Sequence, residues 1–192
     1  MKFGIIKERK NPPDRRVVFT PEELVRLQSE HPEAEIKVES SDIRIFSDDQ
    51  YRNLGLNVTA EMSDCDVLFG VKEVPVDALI PNKKYFFFSH TIKKQPYNRK
   101  LLKAILDKNI ELYDHETIVD ATNHRLIGFG RYAGLVGAYN GFRGFGIKYD
   151  LFTLPKAETL SGKEDLIARL KRQTLPNIKI VLTGHGKVGM GA

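Results

Sequence analysis

Apolar and polar positions follow one another in short blocks along the chain. Short apolar runs predict strands at Phe3–Ile6, Glu35–Val38, Asp66–Val71, Tyr85–Ser89, Ile110–Tyr113 and Leu126–Phe129. Helical patterns lie near Asp48–Leu54 and Asn98–Asp107, and Thr20-Pro21-Glu22-Glu23 has the cap, the proline and the capping-box glutamate of a helix start. Strands that alternate with helices favour an α/β fold with a parallel sheet covered on its faces.

The pattern changes in the segment RYAGLVGAYNGFRGFGIKY. Gly134, Gly137, Ala138 and Gly141 recur at i, i+3, i+4 and i+7, which predicts a long helix with one smooth face. Another backbone can approach such a face closely. We interpret 131–150 as a helix that links two domains, and a tightly packed core helix fits the pattern equally well. The predicted domains are a substrate domain at 1–130 and the incomplete start of a dinucleotide-binding domain at 151–192.

The last residues, VLTGHGKVGMGA, contain the spacing G-x-G-x-x-G. Gly184, Gly186 and Gly189 follow the apolar run 178–183, which we expect to be a strand, and a helical pattern precedes it at Glu164–Arg172. A strand followed by this glycine spacing is typical of the loop that seats a dinucleotide pyrophosphate. These three glycines are therefore the predicted cofactor-binding residues of a second Rossmann-type domain.

Composition excludes several classes of protein. Apolar residues make up 41% and charged residues 29% of the chain. No apolar run reaches the roughly 20 residues of a membrane span. A single cysteine, Cys65, and a start without the features of a signal peptide indicate a cytoplasmic protein in a reducing compartment. No Cys/His spacing indicates a metal site. The sequence leaves the oligomeric state open, a homo-oligomer included.

The chain carries a formal net charge of +5. Its densest basic stretch, Lys93 to Lys103, matches no nucleic-acid-binding motif and is better explained as a solvated helix face. We therefore expect no nucleic-acid partner. An excess of positive charge also suits a cleft for small anions.

Ionisable residues follow several of the predicted strands. Lys72 ends DVLFGVK and His90 ends YFFFSH, so neighbouring parallel strands would bring both to the sheet edge at which ligands bind. Arg15 and Arg16 follow the first strand, and a guanidinium matches the two oxygens of a carboxylate. Each residue alone has an ordinary structural explanation. Together, a base, an acid, a carboxylate anchor and a dinucleotide loop indicate hydride transfer on an amino or keto acid.

Several motifs occur together in the order found in one superfamily. They are FGIIKERKNPPDRRVVFTPEE, LFGVKEVP, YFFFSHTIKKQPYN, IELYDHE, RLIGFGRYAGLVGAYNG and GHGKVGMGA. The chain resembles the superfamily of alanine dehydrogenase, the NAD(P) transhydrogenase alpha chain and lysine-forming saccharopine dehydrogenase. FFFSHTIKKQ and FGRYAGLVGA resemble the saccharopine branch more than alanine dehydrogenase.

The resemblance implies a role for each matching residue. Lys72 would take the proton of the substrate amine, and His90 would serve as acid and base in the imine chemistry. Arg16, Gln95, Arg125 and Phe129 would contact substrate. Glu73 and Glu116 would tune the lysine and the histidine.

The resemblance also implies two Rossmann-like domains with the active site between them, and a family chain that continues well beyond Ala192. We therefore expect an N-terminal fragment, inactive by itself, of an NAD(P)-dependent dehydrogenase, with NAD as cofactor and NADP left open. Its reaction would oxidise and hydrolyse saccharopine to lysine and 2-oxoglutarate. The alternatives are alanine dehydrogenase and a non-catalytic module that binds small acids.

Overall fold

The structure is a computed structural model that describes residues 1–192. The chain divides into two compact units, Met1–Ile127 and Gly128–Ala192. The predicted boundary at 130 thus lies close to the division, and the long helix falls in the second unit. None of the helices combines the length and the apolar character that a membrane crossing requires.

The first unit contains a single six-stranded sheet. Its strands are β1 (Lys2–Ile5), β2 (Glu35–Glu39), β3 (Asn57–Thr59), β4 (Val67–Lys72), β5 (Lys84–Phe88) and β6 (Glu111–Asp114). All neighbours are parallel, in the order β3-β2-β1-β4-β5-β6. This is the strand order of a Rossmann fold, so the predicted α/β class with a parallel sheet is confirmed.

Helices cover parts of both faces of this sheet. They are α1 (Pro21–Glu30), α2 (Asp48–Arg52) and α3 (Arg99–Asp107). The start of α1 is as predicted: Thr20 Oγ1 accepts the Glu23 N–H at 3.2 Å, and the Glu23 carboxylate accepts the Thr20 N–H at 2.8 Å. Both hydrogen bonds satisfy N–H groups that the first helical turn leaves without partners.

The strands supply the apolar cores on the two faces. One core contains Leu68, Tyr85 and Phe87 packed with Leu101 and Ile105 of α3. The other contains residues of β1 and β2 packed with α1 and α2, namely Ile5, Ile36, Val38, Leu24 and Tyr51. Because successive side chains of a strand point to opposite faces, each strand of the sheet centre can feed both cores.

One predicted strand of the first unit does not form, and one strand that does form was not predicted. No strand forms at Leu126–Phe129; the preceding segment folds back on itself through an antiparallel bridge between Val119 and Arg125, and Leu126 is 59% exposed. No strand of the sheet pairs with Leu126–Phe129. The short strand β3 was not predicted, because N-V-T carries only one apolar residue.

The second unit contains α4 (Gly130–Lys148) and α5 (Lys163–Lys171), close to the predicted helices. A small core of Tyr139, Leu154 and Leu166 joins them. The strand predicted at 178–183 does not form, and Val181 is 84% exposed. A parallel strand needs a neighbour for its backbone hydrogen bonds, and the chain provides none for these residues.

The smooth face of α4 does receive another backbone, at one of its small residues. A Cβ atom added at Gly134 would lie 1.9 Å from the carbonyl oxygen of Val188, whereas one added at Gly137 or Gly141 would meet nothing within 4 Å. Of these three glycines, close approach of another backbone requires glycine at Gly134 alone.

Candidate active site

Strands β1 and β4 lie side by side at the centre of the sheet, where the strand order reverses. In open α/β sheets, ligands bind beyond the carboxyl ends of the strands at this switch point. Here β1 is followed by the charged segment Glu8-Arg9-Lys10 rather than by a glycine-rich loop, and β4 ends at Lys72. The crevice of the first unit is thus lined by charged side chains rather than by a glycine-rich loop.

The backbone that carries Lys72 is tied to a buried glutamate. Glu8, 7% exposed, accepts the Val71 N–H on Oε1 at 2.7 Å and the Lys72 N–H on Oε2 at 2.9 Å. Burial raises the pKa of Glu8 above its ordinary value, although both hydrogen bonds act in the opposite direction. This residue was not predicted to be functional.

Arg16 lies in the same crevice and is held by Asp14. Its Nε donates to Asp14 Oδ1 at 2.9 Å, and a second guanidinium nitrogen bonds the other carboxylate oxygen. The hydrogen bond from Arg16, with a smaller contribution from the charge of Lys72, holds the pKa of Asp14 below its ordinary value. Arg15 is exposed.

His90 follows β5 and contacts Glu116, which follows β6. Its Nδ1 lies 3.1 Å from Glu116 Oε2 and 3.2 Å from Lys93 Nζ. The His90 backbone is left-handed, with φ 57°, and Asn98 Nδ2 donates to its carbonyl at 3.1 Å. A left-handed histidine is uncommon and costs free energy, so the neighbouring structure holds this ring in place.

Three basic side chains lie close to the carboxylate of Glu116. Besides His90, Lys93 Nζ lies 3.2 Å and Arg125 Nη1 3.4 Å from its Oε1. Burial opposes ionisation of Glu116, but the hydrogen bonds from His90 and Lys93 outweigh it and lower its pKa. An ionised Glu116 can orient His90 with the proton on Nδ1, leaving Nε2 as the basic nitrogen.

Glu73 directly follows Lys72 in the sequence and interacts electrostatically with His90. It forms an ion pair with Lys10, and its Oε2 is buried without a hydrogen-bond partner. Burial would raise the pKa of Glu73, but the hydrogen bond from Lys10 and the charges of Lys10 and His90 lower it. The carboxylate therefore stays ionised beside Lys72 in the sequence and within electrostatic reach of His90.

Aromatic rings lie beside the histidine. Phe88, the register partner of Lys72, stacks on His90 with ring centroids 6.3 Å apart and lies edge-on to His115 at 5.1 Å. The guanidinium of Arg125 lies 6.0 Å from the Phe88 ring. Lys72, His90 and Arg125 therefore all lie near Phe88, at the carboxyl ends of β4 and β5.

The remaining predicted residues are more exposed. Gln95 accepts a hydrogen bond from Tyr97 at 2.7 Å. Phe129 belongs to the second unit, where its carbonyl accepts the Ala133 N–H at 2.9 Å. Their contacts with substrate, like the other roles assigned from the resemblance, stay predictions.

The glycine loop lies in the second unit. Gly184 has φ +91°, a conformation that side chains disfavour, and a Cβ at Gly189 would lie 2.4 Å from the Gly184 carbonyl oxygen. Gly186 has open space around it. Two of the three predicted glycines are thus demanded by the backbone, as a tight phosphate-binding turn requires.

Four further residues of this site carried only weak signals in the sequence. Glu8, Lys10 and Asp14 lie in the loop that was singled out for its arginines, and charge alone marked them. His115 adjoins the predicted Glu116, and its Nε2 lies 3.1 Å from the Gly70 carbonyl oxygen. No local pattern shows that its partner lies on β4.

The fold and the residues at the carboxyl ends of its strands together define a class of protein domain. It is a Rossmann-like α/β domain with ionisable side chains at the switch point instead of a nucleotide-binding loop. Residues 4–136 match the family described as "Alanine dehydrogenase/PNT, N-terminal domain". The chain belongs to this family.

Curated relatives and solved structures agree with this membership. The chain is 30% identical to an alpha-aminoadipic semialdehyde synthase of Arabidopsis thaliana, over 98% of this chain and 20% of the relative. It is 28% identical to a saccharopine dehydrogenase [NAD(+), L-lysine-forming] of Yarrowia lipolytica, over 82% of this chain and 47% of the relative. The chain therefore spans less than half the length of these relatives.

Two solved structures share the fold. An L-alanine dehydrogenase has a TM-score of 0.56 at 20% identity, over 78% of this chain and 41% of the other. A transhydrogenase from Sinorhizobium meliloti has a TM-score of 0.60 at 16% identity, over 82% of this chain and 48% of the other.

Proposed function

We propose that this chain supplies the substrate-binding and acid–base groups of an NAD(P)-dependent amino-acid dehydrogenase that acts on saccharopine. The observation that supports the proposal is the position of Lys72 at the end of β4 and of His90 just after the adjacent parallel strand β5, with the ion pairs Asp14–Arg16 and Glu116–Lys93 nearby. This arrangement offers a base, an acid and carboxylate anchors within one crevice.

We assign one step of the reaction to each side chain: the oxidation to Lys72 and the hydrolysis to His90. Lys72 takes the proton of the secondary amine as the C–H bond of the carbon next to the nitrogen gives up a hydride, which leaves an imine. His90 then takes a proton from the water that attacks the imine carbon and gives it to the nitrogen, which forms a carbinolamine. It next takes the hydroxyl proton of the carbinolamine and gives it to the same nitrogen as the C–N bond breaks. The products are lysine and 2-oxoglutarate, and general acid–base catalysis of this kind contributes about 100- to 10,000-fold to a rate.

The number of basic groups favours saccharopine over alanine. Saccharopine has three carboxylates and alanine one, and the edge presents Lys10, Arg16, Lys93 and Arg125 beside the two reacting side chains. Arg16 suits a bidentate contact with one carboxylate. We assign Gln95, Arg125 and Phe129 to the rest of the substrate, and Glu73 and Glu116 to tuning of the two reacting groups.

A nicotinamide dinucleotide would accept the hydride. Gly184, Gly186 and Gly189 are the residues that would hold its pyrophosphate, and the backbone demands at Gly184 and Gly189 fit that role. NAD is our expectation, in line with the name of the Yarrowia lipolytica relative.

We also propose a cytoplasmic location, because Cys65 is a free, buried thiol as in proteins of reducing compartments. The relatives include an alpha-aminoadipic semialdehyde synthase of Bos taurus whose name contains "mitochondrial". Cell fractionation decides the matter: recovery in organelles would contradict the proposal.

The test is an assay of the protein expressed from its whole natural reading frame. NADH formation is followed with saccharopine and with alanine, and lysine is quantified as product. Saccharopine-dependent NADH with equimolar lysine supports the proposal. Activity on alanine alone would assign alanine dehydrogenase instead. Calorimetric binding of 2-oxoglutarate without turnover would assign a binding module.

A further inference from the structure

The end of β4 that presents Lys72 contains a β-bulge. Phe69 pairs with Phe86 of β5, but the next paired residues are Lys72 and Phe88. Two residues of β4, Gly70 and Val71, thus lie opposite the single residue Phe87. A bulge disrupts the ladder, re-aims the following side chain and is common beside active sites.

Two buried side chains bind the backbone groups at this bulge. Glu8 accepts the N–H groups of Val71 and Lys72 at 2.7 and 2.9 Å. His115 lies across β5 from β4, and its Nε2 lies 3.1 Å from the Gly70 carbonyl. Three consecutive residues of the bulge are therefore held from two sides, by the segment after β1 and by the segment after β6.

The chemistry of His115 fixes its protonation state. A carbonyl oxygen can only accept, so Nε2 carries the proton. Nδ1 is buried and has no hydrogen-bond partner, which makes a second proton there costly. The ring is thus a neutral donor, packed edge-on against Phe88 at 5.1 Å.

We propose that Glu8 and His115 are positioning residues for Lys72: they hold the bulge of β4 in the one backbone conformation that aims the lysine amine into the crevice. The catalytic part of this inference rests on the proposed function. The geometric part does not, because it concerns the backbone and amine of Lys72 alone.

The geometric part is tested by NMR on the 192-residue chain. Glu8→Gln keeps the side-chain shape but removes one acceptor, and His115→Phe keeps a ring against Phe88 but removes the donor. Asp48→Asn is the matched control, because Asp48 also accepts a backbone N–H, that of Ser41 at 3.0 Å, at the start of α2 and away from β4. Where Glu8→Gln does not fold, Glu8→Asp replaces it, since the shorter side chain cannot reach both N–H groups.

Two signals are read in each variant. Amide exchange at Val71 and Lys72 should accelerate about tenfold or more in Glu8→Gln, as expected when a charged hydrogen bond is lost. The ¹³C-dimethyl resonance of Lys72 after reductive methylation, assigned by its absence in Lys72→Met, should move in Glu8→Gln and His115→Phe. Asp48→Asn should change neither. Unchanged exchange and an unmoved Lys72 resonance would overturn the proposal, whatever the protein's activity.

The catalytic part is tested in the protein from the whole reading frame by a double-mutant cycle. Glu8→Gln should lower kcat about tenfold with little change in KM, and it should lower kcat no further when Lys72 is already methionine. An equal further loss in the Lys72→Met background would show a general structural role and overturn the positioning role. Absence of all activity in the unmutated protein would reject the proposed function but leave the NMR result standing.

Discussion

Glu116 Oε2 lies 3.1 Å from His90 Nδ1. Glu116 follows β6 and His90 follows the neighbouring strand β5, so a carboxylate from one strand end orients a histidine from the next. The same carboxylate contacts Lys93 and Arg125 through its other oxygen. It is therefore an anion shared between His90, the proposed acid–base group, and the basic side chains that we propose as partners of substrate carboxylates.

Glu116→Gln tests this orientation. The amide loses the negative charge that holds the Nδ1 proton, so kcat should fall, but by less than the about 100- to 10,000-fold expected when the acid–base group itself is lost. Steady-state kinetics with saccharopine checks the result. Glu33→Gln is the control, because Glu33 lies 3.6 Å from His31 in an exposed pair. An unchanged kcat in Glu116→Gln would show that Glu116 does not orient His90.

Gly134→Ala tests the close approach in the second unit. Its methyl group would overlap the Val188 carbonyl, so we expect a loss of about 1–3 kcal/mol in the free energy of unfolding. Gly137→Ala, on the same helix with open space around it, should instead gain about 0.5–1 kcal/mol. Urea unfolding measures both. Equal effects of the two changes would contradict the contact.

The apolar runs of β1, β4, β5 and β6 were sufficient to predict those strands, because buried parallel strands are nearly continuous in apolar residues, and β2 was predicted from the alternation in Glu35–Val38. The same signal misled at Leu126–Phe129 and at 178–183, since a run becomes a strand only beside a partner. The sequence placed Lys72 and His90 at strand ends. It could not show Glu8 or His115 at the bulge of β4, because each contact spans more than forty residues of chain.

His115 should make stability depend on pH. Burial, the largest cause, lowers its pKa below 6.5 in the folded chain, while the Gly70 carbonyl and the charge of Asp114 act in the opposite direction. The unfolded chain therefore binds more protons as the pH falls below 6.5, and stability is lost in that direction, by at most about 1.4 kcal/mol per pH unit.

His115→Phe removes this contribution. Buried Glu8 has a raised pKa, so its contribution falls as the pH rises above 4.5 and overlaps the same range. The difference between wild type and variant isolates His115: the stabilising effect of the histidine should shrink as the pH falls from about 7 to about 5. Urea unfolding at several pH values measures it. A pH-independent difference would mean that His115 titrates normally.

Arg16→Lys tests the carboxylate anchor in the protein from the whole reading frame. Lysine keeps the positive charge but lacks the paired N–H groups with which a guanidinium binds both oxygens of a carboxylate. Substrate binding should therefore weaken by about 1.5–3 kcal/mol. KM for saccharopine checks it. Arg15→Lys is the matched control, because Arg15 is adjacent and exposed. If both changes left KM unaltered, Arg16 would be an ordinary partner of Asp14.

Lys72→Met and His90→Gln test the two reacting groups. Methionine keeps most of the lysine volume, and glutamine keeps a polar group in place of the imidazole, so collapse of the fold should not cause the result. Each change should lower turnover about 100- to 10,000-fold, more than it weakens substrate binding, and should alter one limb of the pH–rate profile. Circular dichroism confirms folding, and kcat and KM are measured with saccharopine and with alanine.

The double mutant distinguishes joint from separate action. If Lys72 and His90 serve one reaction sequence, the double mutant should be little worse than the worse single mutant. Near-normal turnover in either folded single mutant would remove that residue from the active site. The reason to expect a joint effect is geometric: Lys72 pairs in register with Phe88, and the Phe88 ring stacks on His90.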